Sequence, residues 1–226
     1  ELVWMDMIDI LTEQQKISLI SKLESIVNNS SNELRSSMRA AEILGDIYVY
    51  GKLGPPDIEK AVNYLTKASN LGSDYASINL GWYYYTEPKI LDFDLAVKFS
   101  LRAGEGQDPY YSASAFNNLG VFYEHEEHEN FELAEKYYKK SSEIIEKDDL
   151  DLSWPSENLA RIYIFGKLKT GIDFENAYYY AEIAKKNGSD YFKYLLDRND
   201  LNDNTTEDDI KSWLIDSALD GRTTGL

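Results

Sequence analysis

The two histidines of the chain lie in the acidic stretch FYEHEEHENF, and their spacing raises the question of a metal site. Zinc proteases carry H-E-x-x-H, in which two imidazoles four residues apart share a helix face and a glutamate acts as the base. His125 and His128 are three residues apart, and no other histidine or cysteine exists to complete a zinc shell. We therefore expect a solvated loop, no metal and no catalytic residue, with a metal-dependent enzyme as the weaker alternative.

Two further stretches come close to ligand-binding motifs. GDIYVYGK, residues 45–52, resembles a phosphate loop, but five residues separate its glycines instead of four and a leucine follows the lysine. DLNDNTTEDDIK, residues 200–211, begins like a calcium loop, yet Thr205 stands where the turn glycine belongs and Lys211 replaces the closing glutamate. We predict no cofactor from either stretch.

The net charge predicts the kind of partner. The chain has 40 acidic and 23 basic residues and a formal charge of -17, which repels phosphate backbones and anionic lipid. No apolar run reaches the roughly 20 residues that span a bilayer. We therefore expect a protein partner with a basic surface, and neither nucleic acid nor a membrane.

The absence of cysteine excludes disulfides and fits a reducing compartment. The first residues, ELVWMDMIDIL, carry two aspartates where a signal peptide would need an apolar core, and no basic segment precedes them. We predict a cytoplasmic protein, although residue 1 is not methionine and removal of a leader stays open.

The positions that could do chemistry are embedded in a repeat. Leucine, a small residue and then tyrosine recur four times, and the leucines lie 36, 39 and 40 residues apart. The four sets are Leu44, Gly45 and Tyr48; Leu80, Gly81 and Tyr84; Leu119, Gly120 and Tyr123; and Leu159, Ala160 and Tyr163.

A second signature follows each set and predicts the start of a helix. An Asp or Asn that can cap the helix precedes an acid in the first turn, where the helix dipole favours negative charge. An alanine, an aromatic residue and a second small residue then share one face. The predicted caps are Asp57, Asp92, Asn130 and Asp173; the alanines are Ala61, Ala96, Ala134 and Ala177; and the aromatics are Tyr64, Phe99, Tyr137 and Tyr180.

Each repeat is thus predicted to be a helix hairpin, in which helix A carries the leucine and tyrosine and helix B starts at the cap. Gly72 and Gly188 are predicted to end two of the B helices in the left-handed conformation. The histidine stretch becomes the end of the third helix A and its loop. One hairpin cannot bury its apolar face alone, so the hairpins must stack.

These residues resemble the Sel-1-like repeat family, a relative of the tetratricopeptide repeats. The first repeat matches best, from Ala40 to Gly72, whereas the loop glycine matched by Gly51 and Gly166 is Glu87 in the second repeat and Glu126 in the third. The resemblance implies an all-α fold, an α-solenoid of stacked helix hairpins in a tetratricopeptide-like superhelix. Loops two and three are expected to differ in shape.

Segments on either side of the array predict capping helices. Thr12 and Gln15 form a capping box before a stripe of Ile20, Leu23 and Val27. Thr206 is the predicted N-cap of a last helix whose stripe and terminator are Ile210, Trp213, Leu214, Ala218 and Gly221. We predict an N-terminal cap at 1–37, four repeats at 38–191 and a C-terminal cap and tail at 192–226.

The resemblance also implies a binding groove on helix A, at positions that flank the leucine and tyrosine core. By register these are Glu42, Asp46, Val49, Tyr50, Ile78, Trp82, Tyr85, Thr86, Asn117, Val121, Glu124, His125, Glu157, Arg161, Ile164 and Phe165. The set mixes acids with aromatics, as protein-binding surfaces do. The alternative is that Trp82 and Phe165 only pack on neighbouring repeats.

The family implies a non-catalytic protein-protein interaction module. Strong acidity and small size favour a bacterial cytoplasmic immunity-type inhibitor that masks a cognate toxin. An adaptor, or a secreted virulence or regulatory factor of the same family, is the alternative. A basic toxin encoded beside the gene would favour the inhibitor, and a longer precursor with a signal segment would favour the alternative.

Overall fold

The computed structural model describes residues 7–29, 33–196, 204–206, 208–210 and 212. The chain divides into two compact units, Glu1–Tyr111 and Ser112–Leu226. Within the described ranges the regular elements are all helical, which confirms the predicted all-α class. The predicted division at residues 37/38 and 191/192 stays a prediction.

The first unit contains one capping helix and two hairpins. The helices are α1 (Glu13–Asn28), α2 (Leu34–Val49), α3 (Ile58–Asn70), α4 (Asp74–Thr86) and α5 (Phe93–Gly104). Helices α2 and α3 form the first predicted hairpin, and α4 and α5 form the second. The capping box of Thr12 and Gln15 is present as predicted, and Leu23 is buried against Leu44.

The third hairpin begins with α6 (Pro109–Glu124), which starts just before the boundary between the units, and the second unit contains the rest. A 3₁₀ helix (Glu126–His128) leads to α7 (Phe131–Lys147), and α8 (Trp154–Ile164), α9 (Phe174–Lys186) and α10 (Lys193–Leu196) follow. Thr206 and Asp209 exchange capping hydrogen bonds, as predicted. The remainder of the predicted last helix and most of the near-calcium motif lie outside the described residues.

The second helix of every hairpin starts as predicted. The side chains of Asp57, Asp92, Asn130 and Asp173 each accept a hydrogen bond from the backbone N–H three residues on. The backbone N–H of the same four residues donates to the carbonyl of the helix A tyrosine, over 2.7–3.0 Å. This repeated bond fixes where each loop ends.

Stacked aromatic pairs join the two helices of every hairpin. The pairs are Tyr48 and Tyr64, Tyr84 and Phe99, Tyr123 and Tyr137, and Tyr163 and Tyr180, with ring centroids 5.7–5.8 Å apart and nearly parallel planes. Offset stacking of this kind adds to the free energy gained from burial. The predicted packing role of these positions is confirmed.

Small residues allow the two helices to approach closely. The four predicted alanines of helix B are fully buried. A Cβ atom added at Gly45 would lie 2.6 Å from Leu65 Cγ, and one added at Gly120 would overlap the ring of Tyr138. The glycine of helix A is therefore required by contact with helix B, not by backbone conformation.

The loops divide into two kinds, as predicted. Gly51 and Gly166 have φ of +63° and +58°, in the left-handed region, and turn the first and fourth loops alike. Glu87 at the equivalent place in the second loop has φ of -90°, and the third loop is the 3₁₀ helix. Gly72 and Gly188 also have the predicted positive φ after helix B.

One buried hydroxyl in α5 gives a testable consequence of this packing. Ser100 is fully buried, and its hydroxyl makes no hydrogen bond to any described residue. An unsatisfied buried polar group costs about 1 to 3 kcal/mol. We expect Ser100→Ala to raise the free energy of unfolding by about 1 kcal/mol, measured by urea denaturation.

A matched control is Ser69→Ala in α3. Ser69 is also buried, but its hydroxyl is hydrogen-bonded to Ser77 and accepts from Arg102. Its removal should lower stability, because the partners lose their bonds. A loss of stability in Ser100→Ala equal to that in Ser69→Ala would contradict the assignment of Ser100 as unsatisfied.

Candidate protein-binding surface

Two of the predicted groove acids in the first unit lie in the contact between neighbouring A helices. Glu42 and Asp46 on α2 are buried. Glu42 pairs with Arg39 at 2.8 Å and accepts a hydrogen bond from the Ser73 hydroxyl. Asp46 accepts from the Tyr75 hydroxyl at 2.7 Å. These carboxylates therefore join two repeats.

The aromatic positions of the same unit are more accessible. Tyr50 and Trp82 are 53% and 41% exposed. Tyr85 lies beside Trp82 with ring centroids 6.1 Å apart, and Ile78 one turn before is half-buried. The structure thus presents two large aromatic side chains that the hairpin packing does not bury.

Tyrosines that the register did not select surround Asp46. Burial, followed by the charge and hydrogen bond of Asp46, raises the pKa of Tyr75. Burial also raises the pKa of Tyr83, with smaller contributions from Tyr50, Asp46 and Glu87. Both hydroxyls therefore remain protonated, and that of Tyr75 donates to Asp46. Their places along the sequence could have identified both tyrosines, since Tyr75 is in the first turn of α4 and Tyr83 lies one turn before Glu87.

The second unit joins its A helices through an ion pair. The Arg161 guanidinium on α8 donates to the Glu124 carboxylate on α6 at 2.7 Å, and the Tyr138 hydroxyl donates to the same oxygen at 2.6 Å. Asn158 donates to the predicted groove residue Asn117 at 3.1 Å. The structure thus brings together Glu124 and Arg161, which the sequence placed in the groove separately.

The remaining predicted positions differ in accessibility. Glu157 and Phe165, at opposite ends of α8, are half-buried, as are Val49 and Val121, whereas Thr86 and His125 are exposed. Ile164 is fully buried in the core of the second unit. It therefore packs inside the hairpin array instead of facing a partner.

One cluster in the second unit contains groups that could carry acid-base chemistry. Tyr163 and Lys139 both hydrogen-bond to the Glu135 carboxylate. Burial and then the bond to Glu135 raise the pKa of Tyr163 to about 12. Burial opposes the charge of Lys139, but its bonds to Glu135 and Tyr163 outweigh that effect and raise its pKa. Such a lysine stays protonated, which is the opposite of what a base or nucleophile requires.

Within the described part of the chain no three His, Asp or Glu side chains meet closely enough to hold a metal ion. His125, just before the 3₁₀ helix, and His128, at its end, are exposed between α6 and α7, where the sequence placed them. In the same described part, no helix has the length and apolarity needed to cross a membrane.

Comparison with known proteins identifies the repeats. The model of the Sel1 repeat matches residues 39–73, 74–108, 113–143 and 157–189. These ranges correspond to the four hairpins. Comparison with curated proteins gives no significant match.

Among solved structures the chain is similar to a Sel1 repeat protein from Oxalobacter formigenes. The TM-score is 0.55 at 21% identity, over 80% of this chain and 73% of that chain. At this identity the likeness establishes the fold alone.

Two further structures align with lower scores. An antigen with an SLR fold from uropathogenic Escherichia coli gives a TM-score of 0.43 at 18% identity, over 93% of this chain and 56% of that one. An immunity protein from Pseudomonas aeruginosa gives 0.41 at 17% identity, over 83% and 88%. These two scores add nothing to the assignment of the fold.

Proposed function

Since this chain belongs to the Sel1 repeat family, we propose that it is a non-catalytic binding protein that engages a basic protein partner through the surface of its A helices. The observation that carries the proposal is the exposure of Trp82 and Tyr50 in the first unit. Aromatic side chains of this size supply the largest part of the binding energy at many interfaces. Exposed aromatics beside polar groups therefore support a contact surface.

The net charge of -17 supports a partner of opposite sign. Glu42 and Asp46 are buried and already hydrogen-bonded, so they contribute to the electrostatic field more than to direct contact. A field of this kind accelerates encounter with a basic partner and weakens with salt.

We further propose that the protein is a cytoplasmic immunity-type inhibitor and that the partner is a cognate toxin, because masking a basic protein needs stoichiometric binding and no chemistry.

The test begins with affinity capture from native lysate, followed by measurement of binding kinetics with the purified partner. We expect Trp82→Ala to speed dissociation and to cost roughly 2 kcal/mol, because a buried aromatic anchor acts mainly on the dissociation rate. Association should slow as salt rises, and this dependence should remain in the variant.

The matched control is Trp154→Ala, since Trp154 at the start of α8 is exposed to a similar degree but is not a groove position. It should leave both rates unchanged. Equal effects of the two substitutions, or an affinity indifferent to salt, would exclude the predicted groove positions as the binding site.

A further inference from the structure

Residues in and beside two loops of the first unit line a pocket that shares Val49 with the predicted groove positions. Its volume is about 350 Å³, at the lower end of the range for ligand sites. The end of α2, the loop after it and the start of α3 contribute three lining residues, and the end of α4 and the loop after it contribute the other four. The apolar walls are Val49, Pro56, Ile58 and Pro88. Two of the four are prolines, whose fixed φ makes the walls stiff before anything binds.

Tyr83 and Glu87 are the polar lining residues that could meet a cation. The backbone N–H of Glu87 donates to the Tyr83 carbonyl at 2.9 Å, which fixes Glu87 at the end of α4. Tyr83 also lies within the electrostatic influence of Asp46, whose carboxylate is held by Tyr75. Glu87 is therefore the carboxylate that lines the pocket, and Asp46 acts on Tyr83 without lining it.

One cation also lines the pocket. Lys89 is an exposed residue of the loop after α4, and its charge lies at the end of a long flexible side chain. Its charge opposes that of Glu87, but its ammonium can turn into solvent, whereas Glu87 is half-buried and its backbone is bonded to Tyr83. An apolar cavity with a carboxylate and a tyrosine at one side fits a cation that has an apolar body.

We propose that this loop pocket receives an arginine side chain of the basic partner, with its methylene stem against the apolar walls and its guanidinium beside Glu87 and Tyr83. A guanidinium suits the site because it pairs with carboxylates through two hydrogen bonds and packs against aromatic rings. This inference rests on the proposed function and extends it, because it adds a loop contact to the helix A surface and names the partner residue.

The experiment uses the full chain and three small probes of nearly identical shape, the benzamidinium cation, neutral benzamide and the benzoate anion. Titrations are followed by amide and methyl NMR shifts at Val49, Ile58 and Tyr83. We expect benzamidinium to bind with a dissociation constant on the order of 1 mM, since probes of this size have little surface to bury. Benzamide should bind at least tenfold more weakly.

Substitutions at two neighbouring pocket residues test which side-chain charge binds the probe. Glu87→Gln should weaken benzamidinium binding about tenfold, whereas Lys89→Gln should leave it unchanged or tighten it. Trp82→Ala should have no effect on the probe. Equal binding of benzamide and benzamidinium would overturn the proposal. So would benzoate binding that is tighter than benzamidinium binding and is lost in Lys89→Gln. If Glu87→Gln impairs folding, the comparison of the three probes on the unaltered chain decides the matter.

The outcomes separate this inference from the proposed function. Probe binding at the pocket, together with a failure to find any basic partner that binds the protein, would support the site and refute the function. Partner binding that depends on Trp82 and salt, with no probe binding and no effect of Glu87→Gln on affinity, would support the function and refute the pocket.

Discussion

Replacing Gly120 with leucine should lower the free energy of unfolding by about 3 kcal/mol, the upper end of the usual cost of overpacking. A Cβ atom at this position would lie 2.6 Å from Cδ1 and Cζ of the Tyr138 ring, and nearer still to Cε1. Tyr138 is fully buried, and its hydroxyl is held by Glu124. The ring therefore cannot move aside without breaking a hydrogen bond, which is why the cost should be high.

The control is Ala160→Gly, at the equivalent position of the fourth hairpin. The natural alanine shows that this hairpin accepts a Cβ there, so the change should cost only about 1 kcal/mol through the lower helix propensity of glycine. Both variants are compared by urea denaturation with a check for two-state unfolding. An unchanged midpoint for Gly120→Leu would show that α6 and α7 do not meet at this glycine.

Removing the cation of the Glu124 and Arg161 pair is the second change with a large expected effect. Arg161→Met should cost about 3 kcal/mol, the lower end of the range for a broken buried pair. The side chains are 14% and 33% exposed, so solvent relieves part of the penalty. What remains is a carboxylate in a largely buried site with the Tyr138 hydroxyl as its hydrogen-bond donor.

A double-mutant cycle measures the coupling within this pair. Combining Arg161→Met with Glu124→Gln should recover part of the loss, because the uncompensated charge is gone. The control is Lys169→Met. Lys169 pairs with Glu132 at 3.0 Å, but the two side chains are 91% and 49% exposed, so the cost should be below about 1 kcal/mol. Equal costs for the buried and the exposed cation would contradict the structural role of Arg161.

Much of the fold followed from local signals in the sequence. The period of the leucines shows how often the hairpin recurs. The caps at Asp57 and its equivalents, and the left-handed glycines Gly72 and Gly188, depend on residues only a few positions away. Such signals do not depend on what packs against the helix. The difference between the loops could also be predicted, since Glu87 cannot replace a glycine at positive φ without strain.

The accessibility of the helix A positions was decided by tertiary structure. The repeat register placed Glu42, Asp46 and Trp82 together in the predicted groove. Glu42 and Asp46 are buried and bonded to Ser73 and Tyr75, about 30 residues further along the chain. Trp82 stays exposed. Whether a helix face is covered depends on the side chains of the neighbouring hairpin. A motif that describes one hairpin contains no information about them.

The sequence alone therefore determined the all-α hairpin array, its helix caps, the packing positions of its aromatic residues and its acidic composition. Only the tertiary structure decided which acids are used to join repeats, that Glu124 and Arg161 pair, and that residues in and beside the loops after α2 and α4 line a pocket. The physical reason is the range of the interactions. Caps, turns and hydrophobic periodicity act between residues close in sequence, whereas burial, ion pairing and cavity formation depend on contacts between residues that only folding brings together.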